Sequence, residues 1–348
     1  MRILIVKLGA LGDVLRTTGL LPALLARHPG ARICWAASEA ALPLLQGLPV
    51  EAMTLERAGA QERSFDLVLS MEEDPRAARL ARRLCRGELV GVTEEDGRLG
   101  YTESSRAYYD MSLLRPESRG GRAAADAAKA ANRRGYIDLW CGVLGLTAAA
   151  PARPLLALGA DELAAGREAA AELLRGGRRP LIGLAPFAAG RWKAKSLSPS
   201  ASARAARELA GLGGTVAVFS APEQGAARRA AAAGASRKNV VDAGDARGLR
   251  AYAALLAACD AVVCVDTLSA HLAAALELPV AVLVGPTSAA EIDAGARGGV
   301  CVPPGGCSCF YAPACGRPSP CLDELPAGFV AERGRRLLEL ASPRAERT

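Results

Sequence analysis

Short, mostly apolar runs alternate along the chain with longer segments of helical period. Arg2–Leu8 is such a run, as are Phe65–Ser70, Leu181–Leu184, Thr215–Ser220, Ala261–Val265 and Val280–Val284. An apolar run of about four to eight residues bounded by turn residues predicts a strand buried on both faces. Ala31–Ala37, Leu89–Val92 and Val240–Val241 are weaker examples. Between the runs, apolar positions recur at helical spacing. They predict helices over Val14–Arg27, Glu39–Leu45, Asp74–Arg86, Asp161–Arg175, Ser200–Leu209, Gln224–Ala233, Leu249–Ala258, Ser269–Leu276 and Gly328–Leu340. Strands alternating with helices predict an α/β fold with mostly parallel sheets. The alternation pauses at Thr147–Pro154, rich in alanine and proline, which reads as a linker. Two domains follow, over 1–157 and 158–326, with a last helix at 327–341 expected to pack back on the first domain.

Residues 98–135 interrupt the first alternation. Tyr101, Tyr108 and Tyr109, half of the chain's six tyrosines, lie there among serines, arginines and glycines. Helices over Ala124–Arg134 and Tyr136–Leu144 close the domain. A long polar segment carrying aromatics reads either as a functional insertion or as a surface excursion with little order. At the start of the chain, Gly9-Ala10-Leu11-Gly12-Asp13 forms a tight turn between strand and helix. Doubly wound domains bind ligands at the carboxyl ends of their strands, which is where Asp13 falls. Glycine lets the backbone approach a ligand closely. A carboxylate at a helix start is equally a cap or a dipole partner.

Composition narrows the partners. The chain has 348 residues, 51% of them hydrophobic, and a formal net charge of +7. The excess is arginine spread along helices, which suits an anionic substrate or an acidic membrane surface rather than nucleic acid. The apolar runs are too short for a secretory leader or for the roughly 20 residues of a membrane span, so a cytoplasmic protein is expected. Of ten cysteines, Cys34, Cys85, Cys141, Cys259 and Cys264 are scattered at apolar positions, as buried thiols would be. Cys307, Cys309, Cys315 and Cys321 cluster in a loop rich in proline and glycine, just after Cys301. Four thiols can hold Zn²⁺, but Cys307-Ser308-Cys309 is tighter than the usual ligand gap, so packed thiols are the preferred reading and no metal is expected.

The second half gathers polar residues at predicted strand ends. Gly190-Arg191-Trp192-Lys193-Ala194-Lys195 follows one strand, Glu223 the next, Asp266-Thr267-Leu268-Ser269-Ala270-His271 a third, and Gly285-Pro286-Thr287 a fourth. Parallel strands bring all of these to one sheet edge. Lys195 suits a phosphate as a point charge, or is a solvated lysine. Thr267 and Ser269 begin a helix, where free amides suit a phosphate and where hydroxyls also cap. His271 near that helix start is a neutral donor to a ligand or a structural histidine. Glu223 accepts from ribose hydroxyls or serves its own helix. No Asp-x-Asp pair is present to hold a divalent metal on a sugar nucleotide, and no Gly-x-Gly-x-x-Gly is present for a nicotinamide dinucleotide.

These residues resemble glycosyltransferase family 9, the ADP-heptose:lipopolysaccharide heptosyltransferases and their relatives, over nearly the whole chain. Gly9–Leu15 with Thr17, Thr18 and Leu21-Pro22-Ala23-Leu24 is similar to the family's opening motif. Tyr101–Ser105, Asp110–Leu113 and Ala131-Asn132-Arg133 resemble a segment of some members. Asp266-Thr267, His271–Ala275 and Gly285-Pro286-Thr287 resemble the donor signature, and the cysteine loop followed by Leu322 and Val330 is similar to many members. The resemblance implies a GT-B fold, two Rossmann-like domains facing across a cleft. It implies inverting, metal-independent transfer of a sugar without cofactor. The donor would be a nucleotide sugar such as ADP-heptose. The acceptor would be a lipid-linked glycan of the lipopolysaccharide core at the inner membrane face. Asp13 would be the general base and Lys195 would neutralise the departing diphosphate. Gly9, Gly12 and Thr17 would lie on the acceptor side. Glu223, Asp266, Thr267, Leu268, Ser269, His271, Gly285 and Thr287 would hold the donor. Two positions depart from the family. Leu268 stands where glycine is usual, and a positive φ there would strain it. Lys195-Ser196-Leu197 replaces Lys-x-Trp, with Trp192 on the other side of the lysine. The first departure leaves open a non-catalytic nucleotide-sugar binder of the same fold.

Overall fold

The computed structural model describes residues 1–61, 63–175, 177–189, 193–307 and 315–341. The chain divides into two compact units, Met1–Ala157 and Leu158–Thr348. The first holds β1 (Arg2–Val6), β2 (Arg32–Ala37), β3 (Glu51–Thr54), β4 (Phe65–Ser70), β5 (Cys85–Glu95) and β6 (Arg98–Tyr101), in the order β3-β2-β1-β4-β5-β6. Only the β5–β6 pair is antiparallel. The second unit holds β7 (Leu181–Ala185), β8 (Thr215–Val218), β9 (Val240–Asp242), β10 (Ala261–Val265), β11 (Val280–Leu283) and β12 (Gly298–Cys301), in the order β12-β11-β10-β7-β8-β9, parallel throughout. Counted from each unit's own first strand, both orders are that of a doubly wound sheet. The order reverses between β1 and β4, and again between β7 and β10. These are the switch points at which such sheets open a crevice.

The central strands explain the apolar runs. Ile3–Val6 and Ala261–Val265 are fully buried, because helices cover both faces of each sheet. Strands β3, β6 and β12 have no such signature. β3 and β6 each carry a charged residue in four, and β12 opens on two glycines. The helix expected over Val14–Arg27 starts earlier and is broken into Leu11–Thr17, a 3₁₀ turn at Thr18–Leu20, and Leu21–Arg27. Pro22, without an N–H, cannot bond the carbonyl of Thr18 and so marks the break.

Residues 98–135 are ordered, contrary to the reading of a loose excursion. β5 leaves β4 at Gly91, the last residue paired with Ser70, and runs on to pair with β6 over Val92–Glu95. Asp96 (φ 51°) and Gly97 (φ 79°) turn the chain back as a two-residue hairpin loop. At Gly91 (φ +115°) a Cβ would lie 2.0 Å from the Ser70 carbonyl oxygen, so only glycine fits the pivot. The returning strand delivers Thr102, whose Oγ1 accepts from the Gly91 amide at 3.0 Å. Beyond it the rings lock together. Tyr101 stacks on Tyr109 (centroids 5.3 Å), Tyr108 meets Tyr109, Tyr136 and Trp140, and Tyr109 and Trp140 are buried.

The last helix, Phe329–Leu340, contributes to the second unit's core. Val330 and Leu337 are buried there. Glu208, on the helix Pro199–Ala210, accepts from the Gly328, Val330 and Ala331 amides at 3.1–3.3 Å and so caps it from outside. Among the described residues, no helix is long and apolar enough to cross a membrane.

Candidate active site

In the first unit the glycine turn is held by Glu72, just past β4. One of its carboxylate oxygens accepts from Lys7 Nζ (3.2 Å), the Leu8 amide (2.8 Å) and the Gly9 amide (3.1 Å). The turn after β1 is thereby tied to the segment after β4, across the switch point. A Cβ on Gly9 would meet nothing within 4 Å, so packing does not demand the glycine and the space above it is open. Asp13 is not the cap of its helix. The N-cap is Ala10, with no side-chain bond, and Asp13 lies in the first turn. Its carboxylate pairs with Arg16 Nη2 at 2.9 Å and is 38% exposed, so it is oriented but reachable. The Arg16 guanidinium sits 4.0 Å over the Tyr136 ring. Thr17 Oγ1 donates to the Asp13 carbonyl (2.7 Å) and, its one proton committed, accepts from the Tyr136 hydroxyl (2.7 Å). The ordered insertion thus reaches the Asp13 helix through Tyr136 and its ring contact with Tyr108. Further out, Tyr101 donates to Asp110 at 2.6 Å, and burial together with that carboxylate pushes its phenol up to about 12.

In the second unit, loops from three strands converge on one oxygen. Asp266 Oδ2, after β10, accepts from Lys195 Nζ (2.7 Å), which follows β7, and from Thr287 Oγ1 (2.7 Å), which follows β11. The lysine and aspartate side chains are 18% and 13% exposed. Burial disfavours the Asp266 charge, but Lys195, His271 and Thr287 outweigh it and hold the carboxyl at about 2. The helix Leu268–Ala275 starts immediately afterwards. Thr267 caps it, its Oγ1 accepting from the Ser269 amide at 3.2 Å. Ser269 Oγ shares a 2.6 Å hydrogen bond with the Tyr252 hydroxyl, and His271 is buried within the helix. Leu268 is the first residue of the helix and is not among the residues of positive φ, so the leucine is unstrained. That removes the structural ground for a non-catalytic binder. Gly285 is buried beneath Leu322 and Cys321, a packing position. Glu223 is exposed on the 3₁₀ turn Pro222–Gln224, past β8.

Lys195, Asp266 and Thr287 are brought together, with Thr267, Ser269 and His271 on the adjoining helix. Gly9, Gly12, Asp13 and Thr17 are gathered in the other unit. Gly190, Arg191, Trp192 and Cys309 lie outside the described residues. Among the described residues no group of three or more His, Cys, Asp or Glu side chains is placed to hold a metal ion. Glu72 and Tyr136 were not foreseen from the sequence. Of the two, Glu72 carried a signal, as an acid just beyond an apolar run.

Solved structures share this architecture. A glycosyl transferase of family 9 from Veillonella parvula DSM 2008 superposes with a TM-score of 0.64 at 17% identity, covering 86% of this chain and 85% of that one. Escherichia coli ADP-heptose lps heptosyltransferase II gives 0.63 at 19% identity, covering 98% and 100%. E. coli heptosyltransferase WaaC with ADP gives 0.60 at 21% identity, with the same coverage. The fold is therefore that of the GT-B glycosyltransferases, two Rossmann-like units. The family model described as glycosyltransferase family 9 (heptosyltransferase) matches residues 59–302, and the chain belongs to that family. Among curated proteins no match is found.

Proposed function

We propose that the protein transfers a sugar, with inversion and without a metal, from a nucleotide-diphosphate sugar to a lipopolysaccharide core or related surface glycan. ADP-heptose is the first donor to test. The observation that carries this is the meeting of Lys195, Asp266 and Thr287 at the second switch point, beside a helix N-terminus. A fixed ammonium beside the positive end of a helix suits a diphosphate. Asp13 takes the proton of the acceptor hydroxyl as its oxygen forms a bond to the anomeric carbon. The bond from that carbon to the diphosphate breaks on the opposite face, which inverts the configuration. The diphosphate leaves with the bonding electrons, and Lys195 with the positive end of the helix stabilises the added charge. Glu223 serves the ribose. In this reading no cofactor takes part, and the lipid-linked acceptor brings a protein of net charge +7 to the inner membrane face as a peripheral, cytoplasmic enzyme.

The test is transfer from ADP-heptose to a heptose-deficient lipopolysaccharide in the presence of chelator, with NMR of the new anomeric centre. A positioned base contributes about 10²–10⁴-fold. Asp13→Asn is therefore expected to lose that much turnover and keep donor binding. Turnover unchanged in that variant removes the base, and a chelator-sensitive rate or a retained anomeric configuration removes the mechanism.

A further inference from the structure

We infer that Arg228 is a positioning residue for the nucleoside end of the donor, acting through the turn after β8 and the loop after β9. This rests on the donor reading above. Arg228 lies on the helix Gly225–Gly234, and its side chain is only 2% exposed. Its Nε donates to Asp242 Oδ1 at 2.5 Å. Its Nη1 donates to Ser220 Oγ at 3.1 Å and to Asp245 Oδ1 at 2.8 Å. Asp242 ends β9, Asp245 stands in the loop beyond, and Ser220 opens the turn that carries Glu223. Asp242 Oδ1 also accepts from the Gly244 amide at 2.8 Å.

This loop needs an external mooring. Ala243-Gly244-Asp245-Ala246-Arg247-Gly248 has no large apolar side chain, and Gly244 and Gly248 have φ of +73° and +97°. A buried guanidinium between two carboxylates is a poor device for stability alone, since its desolvation offsets much of the attraction. What it supplies is geometry. The same turn is tied to the loop after β7 by Gln224 Nε2, which donates to the Ala188 carbonyl at 2.8 Å. Three loops at one sheet edge are thus cross-linked in the strand order β7-β8-β9. Neighbouring strands lie about 4.8 Å apart, so β7 to β9 spans about 10 Å. A donor whose diphosphate rests at Lys195 and whose ribose meets Glu223 places its base over the loop that Arg228 moors.

Arg228→Lys and Asp245→Asn test this in the full-length protein. Asp245 is 57% exposed, so its variant keeps the fold while it weakens the mooring. Calorimetric titration of ADP, UDP and GDP identifies the nucleotide bound by the wild type. In both variants its dissociation constant and the donor KM are expected to rise about tenfold, the scale of one hydrogen bond to a charged group. The kcat is expected to stay within about twofold, since Lys195 and Asp13 are untouched. Unchanged KM in both variants, or a fall in kcat at constant KM, overturns the assignment. Wild-type protein that binds none of the three nucleotides overturns the donor reading itself, and this inference with it.

Discussion

Replacing Lys195 with methionine strips Asp266 of its ammonium and leaves Thr287 Oγ1 as the hydrogen bond to that carboxylate. The structure brackets the cost. The carboxyl is held at about 2 against an ordinary 3.8, which through linkage corresponds to roughly 2 kcal/mol net, after the burial penalty is subtracted from what its partners supply. Stripping one partner from a fully buried pair costs about 3–5 kcal/mol, and an exposed pair is worth about 0–1 kcal/mol. With side chains 18% and 13% exposed, this pair lies nearer the buried limit, so about 2–3 kcal/mol is expected at pH 7. Urea denaturation of wild type, Lys195→Met, Asp266→Asn and the double variant, without nucleotide, closes the cycle. The double variant should be more stable than Lys195→Met, with a coupling of about 2 kcal/mol. The pH dependence has a fixed sign. Asp266 is depressed in the folded state, so its contribution is present above the unfolded pKa and is lost as pH falls through the folded one. The deficit of Lys195→Met should therefore be full at neutrality and shrink as pH falls through the variant's raised Asp266 pKa toward the wild-type value of about 2. A single variant within about 0.5 kcal/mol of wild type, or a deficit undiminished at pH 2, refutes the reasoning.

Gly91→Ala puts a Cβ against the Ser70 carbonyl at a φ that alanine resists, and about 3 kcal/mol or more of destabilisation is expected in a thermal melt. A native melting temperature would show that the pivot from β4 to β6 is misplaced. Leu268→Gly should lose about 1 kcal/mol by denaturant titration, as glycine in a helix does, whereas a gain would mean the leucine is strained after all. Glu72→Ala removes the acceptor of the Leu8 and Gly9 amides and the partner of Lys7, at about 2–4 kcal/mol. Both amides should then exchange with solvent faster, and unchanged protection would refute the role given to Glu72.

The two sheets were legible because their central strands are predominantly apolar. Their edges were not, because β3, β6 and β12 are short and polar or glycine-rich, and pairing rather than pattern makes them strands. The residues that meet at Asp266 could be gathered from the sequence by topology alone, since parallel strands share an edge. That Lys195 and Thr287 share one oxygen depends on the register between β7, β10 and β11, which no local pattern encodes. Asp13 read as a cap because an acid at a helix start usually is one, but the chain enters this helix two residues earlier, and the carboxylate turns to Arg16. By composition, residues 98–135 fitted a functional insertion and a loose excursion alike. Their order comes from rings that contact Trp140 and Tyr136, far along the chain, so periodicity could not reveal it.

The lysine–carboxylate contact at the second switch point has a consequence for what can enter. There Lys195 and Asp266 form an internal salt, although the chain as a whole carries +7. An approaching anion does not find Lys195 vacant; it competes with a carboxylate already seated at 2.7 Å. A singly charged anion of similar density gains little by the exchange, whereas adjoining phosphates present more charge than one carboxylate can match. Mobile salt screens the long-range pull of the chain over about 8 Å at physiological strength and slows arrival. It barely reaches a contact pair. Ionic strength should therefore set how often polyanions arrive, and the seated carboxylate should set which of them stay.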